Sequence, residues 1–281
     1  MSYRHPGHAF LSRFGAIQRE EDIYQYVDFL RRESGLSDEP PIDLSTIFNH
    51  FGIPTPIRAP LDEQQGILVD SGTGVILIKE DDSIVRQRFT EGHELMELLF
   101  DAVTDQRGRS LLPDWSEAHK ERLCDQGAAD LLMPRSSFIP RLYQMGISIN
   151  TARSLCDLYQ TSLLATLVQM IQQGAGNFAL VVWRPALKPT EIKTPTLEAT
   201  EKLRIWWRIQ TTDWTGGYIP KDKSISEASM IWATHRFGYP NAGRERIDFG
   251  ATAIECQIET LSLSIGHTPC VLSLLQCLRE G

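Results

Sequence analysis

The stretch RFTEGHELMELLF, residues 88–100, constrains the fold more than any other part of this sequence. Leu95, Leu98 and Leu99 recur at helical spacing, which is the pattern of an amphipathic helix with one buried side. The other side carries one histidine and several glutamates. We therefore expect a helix from about residue 83 to residue 100 that packs its apolar side in a core and holds ionisable groups on the other.

The polar side of this helix has the spacing of a metal-binding motif. His93 and Glu97 stand four residues apart, so both side chains can reach a single cation. Glu94 follows the histidine, where a carboxylate can take a proton from a metal-activated water and pass it to a leaving amine. The motif reads H-E-x-x-E, and it needs a third ligand from elsewhere in the chain.

We expect that third ligand on the next helix, which SEAHKERLCDQGAADLLM predicts over residues 116–133 with Ser116 as its N-cap. Glu121 lies in its first half. Asp125 follows one turn later and could bond the free ring nitrogen of His93, which would fix the histidine tautomer. His93, Glu97 and Glu121 are therefore the expected ligands of one divalent metal ion per chain, Zn²⁺ or Mn²⁺.

Three outcomes are open for Glu97. If it ligates, the second carboxylate makes the metal a weaker Lewis acid and shifts its preference from Zn²⁺ toward Mn²⁺ or Fe²⁺. Metal binding could instead be weak or absent, because Glu94, Glu97 and Glu121 repel one another. The chain would then be a pseudopeptidase that binds a partner without cutting it. In the third outcome Glu97 turns away and another residue replaces it, with His119 the nearest candidate.

The cysteine pattern predicts reduced thiols rather than a disulfide framework or a cysteine zinc site, because the number is odd and C-x-x-C never occurs. The five cysteines are Cys124, Cys156, Cys256, Cys270 and Cys277. Cys124 falls between two of the proposed site residues. We interpret it as a small core cysteine rather than a redox-sensitive neighbour of the metal.

Charge and hydropathy exclude several classes of protein. The formal net charge of −8 argues against non-specific nucleic-acid binding as the main task. No uncharged apolar run is long enough to cross a membrane, and the N-terminus has neither an apolar core nor a cleavage site of a leader peptide. We therefore expect a cytoplasmic protein.

A helix pair at residues 150–173 has the form of a helix-turn-helix, with a tight turn at Thr161. Its second helix contains no arginine or lysine that could bind phosphate. We therefore favour two core helices that pack together, and direct DNA binding is not expected.

The pattern of apolar, turn-forming and proline residues along the chain predicts an α+β protein of three segments. GILVDSGTGVILIK reads as a hairpin, and DLSTIFNHFGI reads as a helix that begins after Asp43 and ends at Gly52. The proline-rich segment KPTEIKTPTLEAT reads as a linker, and strands with one helix follow it. The expected division is a metallopeptidase-like domain at 1–135, a helix-turn-helix-like segment at 136–176 and an α+β domain at 177–281.

The order PIDLSTIFNHFGI, QGILVD, GVILIK, VRQRFTEGHELMELLF and ERLCDQGAADLLMP resembles the ImmA/IrrE family of bacterial metallopeptidases. In that family an R-x-R-F-T-x-x-H-E-x-x-H helix precedes a helix written roughly E-x-x-A-N-x-F-A-A-x-L-L-M-P. The resemblance covers about residues 20 to 175. It makes His93 and Glu121 metal ligands and Glu94 the catalytic base, whereas Glu97 departs from the family's second histidine.

The resemblance implies a zincin-like peptidase domain of the gluzincin scheme, followed by a region similar in size and place to a GAF-like sensor domain. Members of the family cleave helix-turn-helix transcriptional repressors and thereby switch on stress or mobile-element responses. This chain would do the same to some repressor. The alternatives are a catalytically silent regulator with the same fold and, less favoured by the acidic charge, a DNA-binding regulator.

Overall fold

The structure is a computed structural model that describes residues 2–105, 115–193, 200–250 and 252–278. The chain divides into two compact units, one of residues 1–141 with 154–165, and one of residues 142–153 with 166–281. Each unit combines helices with one sheet, so the α+β prediction is confirmed. None of the helices in the described ranges is long and apolar enough to cross a membrane.

The first unit contains five complete helices and a small sheet among its described residues. They are α1 (Pro6–Phe14), α2 (Asp22–Glu33), α3 (Leu44–Phe51), β1 (Ile57–Ala59), β2 (Gly66–Asp70), β3 (Val75–Lys79), α4 (Ile84–Asp105) and α5 (Glu117–Leu132). Three further helices cross the division between the units, namely α6 (Arg135–Met145), α7 (Ile149–Tyr159) and α8 (Leu163–Gln173). The predicted helix pair with its turn near Thr161 is thus present as α7 and α8.

The small sheet has the strand order β1-β3-β2. Strands β2 and β3 form the predicted antiparallel hairpin, in which Ile67 lies opposite Leu77. Gly74 closes the turn with a φ of +71°, a backbone conformation that glycine adopts without steric cost. Strand β1, which the sequence analysis did not predict, pairs parallel to β3. This leaves β2 at a free edge of the sheet, beside α4.

Helix α4 is longer than predicted. The predicted helix ended near residue 100, but α4 continues to Asp105 because Ala102 and Val103 extend its buried apolar side. Residues 106–114 lie outside the described part of the chain. The predicted ends of two neighbouring helices are confirmed, since Asp43 caps α3 and Ser116 caps α5 through side-chain bonds to backbone N–H groups.

Helix α4 lies against α5 at very short range. A Cβ at Gly127 would come within 2.5 Å of the Met96 sulfur, so the glycine leaves the space that the Met96 side chain occupies. Leu95, Met96, Leu98 and Leu99 are fully buried in the core of the first unit. The close packing brings the polar side of α4 to the polar side of α5.

The second unit is built on a five-stranded antiparallel sheet with the order β5-β4-β8-β7-β6. Its elements are β4 (Phe178–Ala186), α9 (Pro189–Lys193), β5 (Lys202–Gln210), α10 (Met230–Phe237), β6 (Asn241–Asp248), β7 (Ala253–Ile265) and β8 (Thr268–Cys277). Helix α9 falls inside the segment 188–200 that was predicted as a linker, and residues 194–199 lie outside the described ranges. The strands and the helix predicted beyond that segment are confirmed.

Candidate metal centre

His93 is the centre of a cluster of acids that α4 and α5 bring together. Its Nδ1 lies 3.0 Å from Asp125 Oδ1. Its Nε2 lies 3.7 Å from Glu97 Oε1 and 3.5 Å from Glu121 Oε2. A proton on Nδ1 would be donated to Asp125 and would leave the Nε2 lone pair toward the two glutamates. The structure therefore places the predicted residues Glu97, Glu121 and Asp125 around the His93 imidazole.

Two of the donor-atom distances fit ligands of a divalent cation, whereas Glu121 lies outside the group of donor atoms that all lie within 4.8 Å of one another, which is His93, Glu97 and Cys124. Ligands of a tetrahedral ion with bonds near 2.1 Å stand about 3.4 Å apart. The separations from His93 Nε2 to Glu97 and Glu121, 3.7 and 3.5 Å, are close to that value. One imidazole nitrogen and two carboxylate oxygens are a donor set that both Zn²⁺ and Mn²⁺ accept.

Glu94 lies beside this cluster and is only 5% exposed. Burial raises the pKa of Glu94 to about 7, and the charges of Glu97 and Glu121 add to the rise while His93 opposes it. A backbone N–H at Leu68 in the edge strand β2 bonds to the carboxylate. Glu94 is thus a carboxyl group that can accept or release a proton near neutral pH.

Gly66 makes room for the Glu94 carboxylate. A Cβ at Gly66, the first residue of β2, would come within 2.6 Å of Glu94 Oε1. Any larger residue would displace the carboxylate from its place between the strand and the helix. This glycine was not among the predicted site residues. Its position at the start of a predicted strand could have indicated that another group approaches the backbone there.

The charge of His93 also responds to its surroundings. Burial lowers the pKa of His93, but the hydrogen bond and charge of Asp125, together with the charges of Glu94 and Glu97, more than offset it, so the pKa lies above its ordinary value. Asp125 is therefore the main partner that controls both the charge and the orientation of the ring.

Cys124 is fully buried, as predicted for a core cysteine. It also has a contact that the sequence analysis missed, because its Sγ donates to Glu97 Oε1 at 3.2 Å. His93, Glu97 and Cys124 form a group of three potential ligand atoms that all lie within 4.8 Å of one another. Burial, with Glu97 nearby, raises the pKa of Cys124 well above its usual range. Glu121, Cys124 and Asp125 share one helix side at i, i+3 and i+4, and this spacing could have indicated from the sequence that Cys124 lies at the site.

His119, the alternative ligand, has other partners. Its Nε2 lies 3.3 Å from Glu20 Oε1, and its ring packs on Trp115 with the centroids 5.0 Å apart. These contacts hold the His119 ring at Glu20 and Trp115, so it does not join the group around His93.

Two polar residues anchor the first turns of α4 to the small sheet. The Gln87 side-chain amide donates to the backbone carbonyls of Lys79, Glu80 and Asp82 just after β3. Arg58 on β1 donates to Gln87 at 2.8 Å and to Glu91 at 2.6 Å. These bonds fix the helix that carries His93 and Glu94 relative to the strand that contacts Glu94.

A comparison with protein families identifies this region. The family model described as Peptidase_M78: IrrE N-terminal-like domain matches residues 51–168. The chain carries an IrrE N-terminal-like domain. The match spans the small sheet, α4 and α5, and therefore all the acids that surround His93. It confirms the resemblance to the ImmA/IrrE family, which is typically metal-dependent.

A solved structure of a Mycobacterium tuberculosis transcriptional regulator shares the fold of the whole chain. The match covers 96% of this chain and 92% of that chain, with a TM-score of 0.60 and 15% sequence identity. At that identity the match extends the common fold beyond the IrrE N-terminal-like domain into the second unit. No curated protein matches the chain in sequence.

Proposed function

We propose that this protein is a metal-dependent endopeptidase of the cytoplasm that cleaves a helix-turn-helix transcriptional repressor. The observation that carries the proposal is the convergence of Glu97 and Glu121 on His93 Nε2, with the buried Glu94 carboxyl beside them. The family to which the domain belongs supports the same activity.

In this proposal His93, Glu97 and Glu121 hold one divalent ion. When bound, such an ion polarises a scissile carbonyl and makes an attacking water more acidic. Two carboxylates would nearly cancel the charge of a divalent ion, so we propose that the site favours Mn²⁺ over Zn²⁺ more than a site with two histidines does. Asp125 holds the His93 ring so that Nε2, rather than Nδ1, is the ligand.

Glu94 is the proposed general base. Burial raises the pKa of Glu94 in the metal-free protein to about 7, and a bound cation would lower it, so the Glu94 carboxylate would be ionised and able to take a proton from the attacking water. The same carboxyl then gives that proton to the leaving amine nitrogen. The backbone N–H of Leu68 holds the Glu94 side chain for both transfers.

The substrate and the regulatory role extend this proposal. The family and the fold shared with a transcriptional regulator support a role in gene regulation, and cleavage of a repressor would switch on a stress or mobile-element response. The second helix of the pair, α8, has no basic residue, so the protein would act on a repressor rather than on DNA.

The finer architecture is part of the proposal as well. We assign a zincin-like peptidase domain to residues 1–135, a helix-turn-helix-like segment to 136–176 and a GAF-like domain to 177–281. The helix α4 with its metal ligands, next to the edge strand β2, supports the zincin-like arrangement of the first part.

One observation favours a second candidate function, that of a silent pseudopeptidase. Three carboxylates, from Glu94, Glu97 and Glu121, converge where peptidases of this type have two, and the charges of Glu97 and Glu121 add to the rise in the pKa of Glu94 that burial causes. A chain that relieved this repulsion by protonation rather than by a cation would keep the fold and bind a repressor without cutting it.

Incubation with purified helix-turn-helix repressors from the same organism separates the two functions. The protein is supplied with Mn²⁺ or Zn²⁺, and intact-mass spectrometry follows each repressor. We expect one repressor to be cut at a single site, and Glu94→Gln to prevent the cut while the metal stays bound. A metal-loaded protein that cuts none of them would support the pseudopeptidase instead.

A further inference from the structure

The contact between Cys124 and Glu97 links the two helices of the metal centre. The Cys124 side chain has no exposure to solvent, whereas the Glu97 side chain is 30% exposed. A glutamate has three rotatable bonds, so an exposed one is held in place only when another group binds it. Among the described residues the thiol of Cys124, at 3.2 Å, supplies that bond to Glu97 Oε1.

The same oxygen, Oε1, is the Glu97 atom that lies 3.7 Å from His93 Nε2. A carboxylate oxygen has two lone-pair directions, and it can accept a hydrogen bond in one while it binds a cation in the other. Only the protonated thiol places a hydrogen between the sulfur and the oxygen. The contact therefore points Glu97 toward the histidine without occupying the position of an ion.

We propose that Cys124 is a positioning residue that makes Glu97 a metal ligand, by holding Glu97 Oε1 beside His93 Nε2 through an S–H···O bond. The inference rests on the proposed metal site and goes further, because it names the group that lets a glutamate act in the fourth position after His93. A histidine at position 97 would have no carboxylate oxygen to accept this bond and would not need it.

The test is the affinity for Zn²⁺ and Mn²⁺, measured by competition with a chromophoric chelator. Cys124→Ala removes the donor and should weaken binding about 10- to 100-fold, as loss of a partner behind a metal ligand does. Cys124→Ser keeps an O–H donor and should retain most of the affinity. Cys256→Ala, which truncates another fully buried cysteine away from any proposed ligand, is the matched control and should leave the affinity unchanged.

A double-mutant cycle separates positioning from packing. In a Glu97→His background the further change Cys124→Ala should have little effect on affinity, because the bond it removes no longer exists. An equal loss in both backgrounds would mean that Cys124 acts through packing, and it would overturn the proposal. Unchanged affinity in Cys124→Ala alone would overturn it too.

Co²⁺ binding supplies a spectroscopic readout of the role. The proposal expects no thiolate-to-cobalt charge-transfer band in the near ultraviolet. A band that disappears in Cys124→Ser would make Cys124 a ligand and would overturn the positioning role while it supported the metal site. A wild-type protein that binds none of the three ions would overturn the metal site and this inference together.

Discussion

A buried polar network in the second unit differs in kind from the polar cluster of α4 and α5 in the first unit. In the second unit Trp183 Nε1 donates to Ser273 Oγ at 3.1 Å, Ser273 contacts Thr260 at 3.2 Å, and Thr260 donates to the Leu272 carbonyl at 3.0 Å. All of these groups are neutral. In the first unit the polar groups at α4 and α5 are a histidine, carboxylates and a thiol, and they have few donors among them.

The difference shows which polar groups remain able to bind a ligand. A neutral network that satisfies its own donors and acceptors stabilises the fold and attracts no ligand. Carboxylates that crowd around one imidazole repel one another unless a cation neutralises them, and the burial of Glu94 adds to this cost, whereas Glu121 and Asp125 are exposed. We infer that the first unit gives up stability for binding and chemistry, whereas the second unit does not.

The largest expected effect is that of Glu94→Gln. The amide cannot accept the proton from water, so hydrolysis of the repressor should fall by at least about 100-fold. The metal content should not change, since Glu94 is not one of the proposed ligands. Single-turnover cleavage followed by gel densitometry measures the rate.

The matched control for Glu94→Gln is Glu117→Gln, an acid at the exposed start of α5 that pairs with Lys120. It should cleave at the wild-type rate. If Glu94→Gln kept most of the activity, another residue would be the general base, and the polar cluster of the first unit would not serve catalysis through Glu94.

Asp125→Ala should act on metal affinity through His93. Loss of the bond at 3.0 Å leaves the ring free to rotate and to change tautomer, and affinity for Mn²⁺ or Zn²⁺ should fall by about 10-fold or more. Chelator competition measures the change. Equal affinity in Asp125→Ala would show that the ring is held without Asp125.

Ser273→Ala tests the neutral network of the second unit. It leaves the indole N–H of Trp183 buried without its acceptor, so the free energy of unfolding should fall by about 1–3 kcal/mol. Urea denaturation measures this, and Ser264→Ala, an exposed serine on the neighbouring strand, should change stability by less than about 0.5 kcal/mol. A change in metal affinity in Ser273→Ala would contradict the division of tasks.

The smallest effects concern two helix caps, one in each unit. Asp43 caps α3 and Ser229 caps α10, and alanine at either position should cost about 1 kcal/mol at neutral pH. Bonds from the Ser45 hydroxyl, with others from Thr46 and the Ser45 backbone, hold the pKa of Asp43 below its ordinary value of 3.8. A depressed pKa stabilises the fold above 3.8, and this contribution is lost as the pH falls through the folded pKa.

The cost of Asp43→Ala should therefore shrink when urea denaturation is repeated at a pH below about 3. The cost of Ser229→Ala should be the same at both values, because a hydroxyl does not titrate in this range. A cost of Asp43→Ala that is independent of pH would show that its charge does not contribute to the cap.

The sequence predicts the local features of the fold well. Asp43, Gly52 and Ser116 mark helix ends through bonds within a few residues, and the hairpin of β2 and β3 follows from its turn. Strand β1 is only three residues long and forms by pairing with β3, so no local pattern reveals it.

The candidate site was predicted in part for the same reason. The spacing of His93, Glu94 and Glu97 is a property of one helix and is visible in the sequence. The contact of Cys124 with Glu97 and the space that Gly66 leaves for Glu94 depend on how separate elements pack. That packing depends on close approaches such as the one between Gly127 and the Met96 side chain, and a single sequence does not reveal them.

The metal content of the purified protein decides whether His93, Glu97 and Glu121 hold an ion. Elemental mass spectrometry would compare the wild type with Glu121→Ala and with Glu117→Ala as the control. We predict close to one divalent ion per chain in the wild type and the control, and its loss in Glu121→Ala. A wild-type site that stays empty after Mn²⁺ and Zn²⁺ are supplied would contradict this prediction.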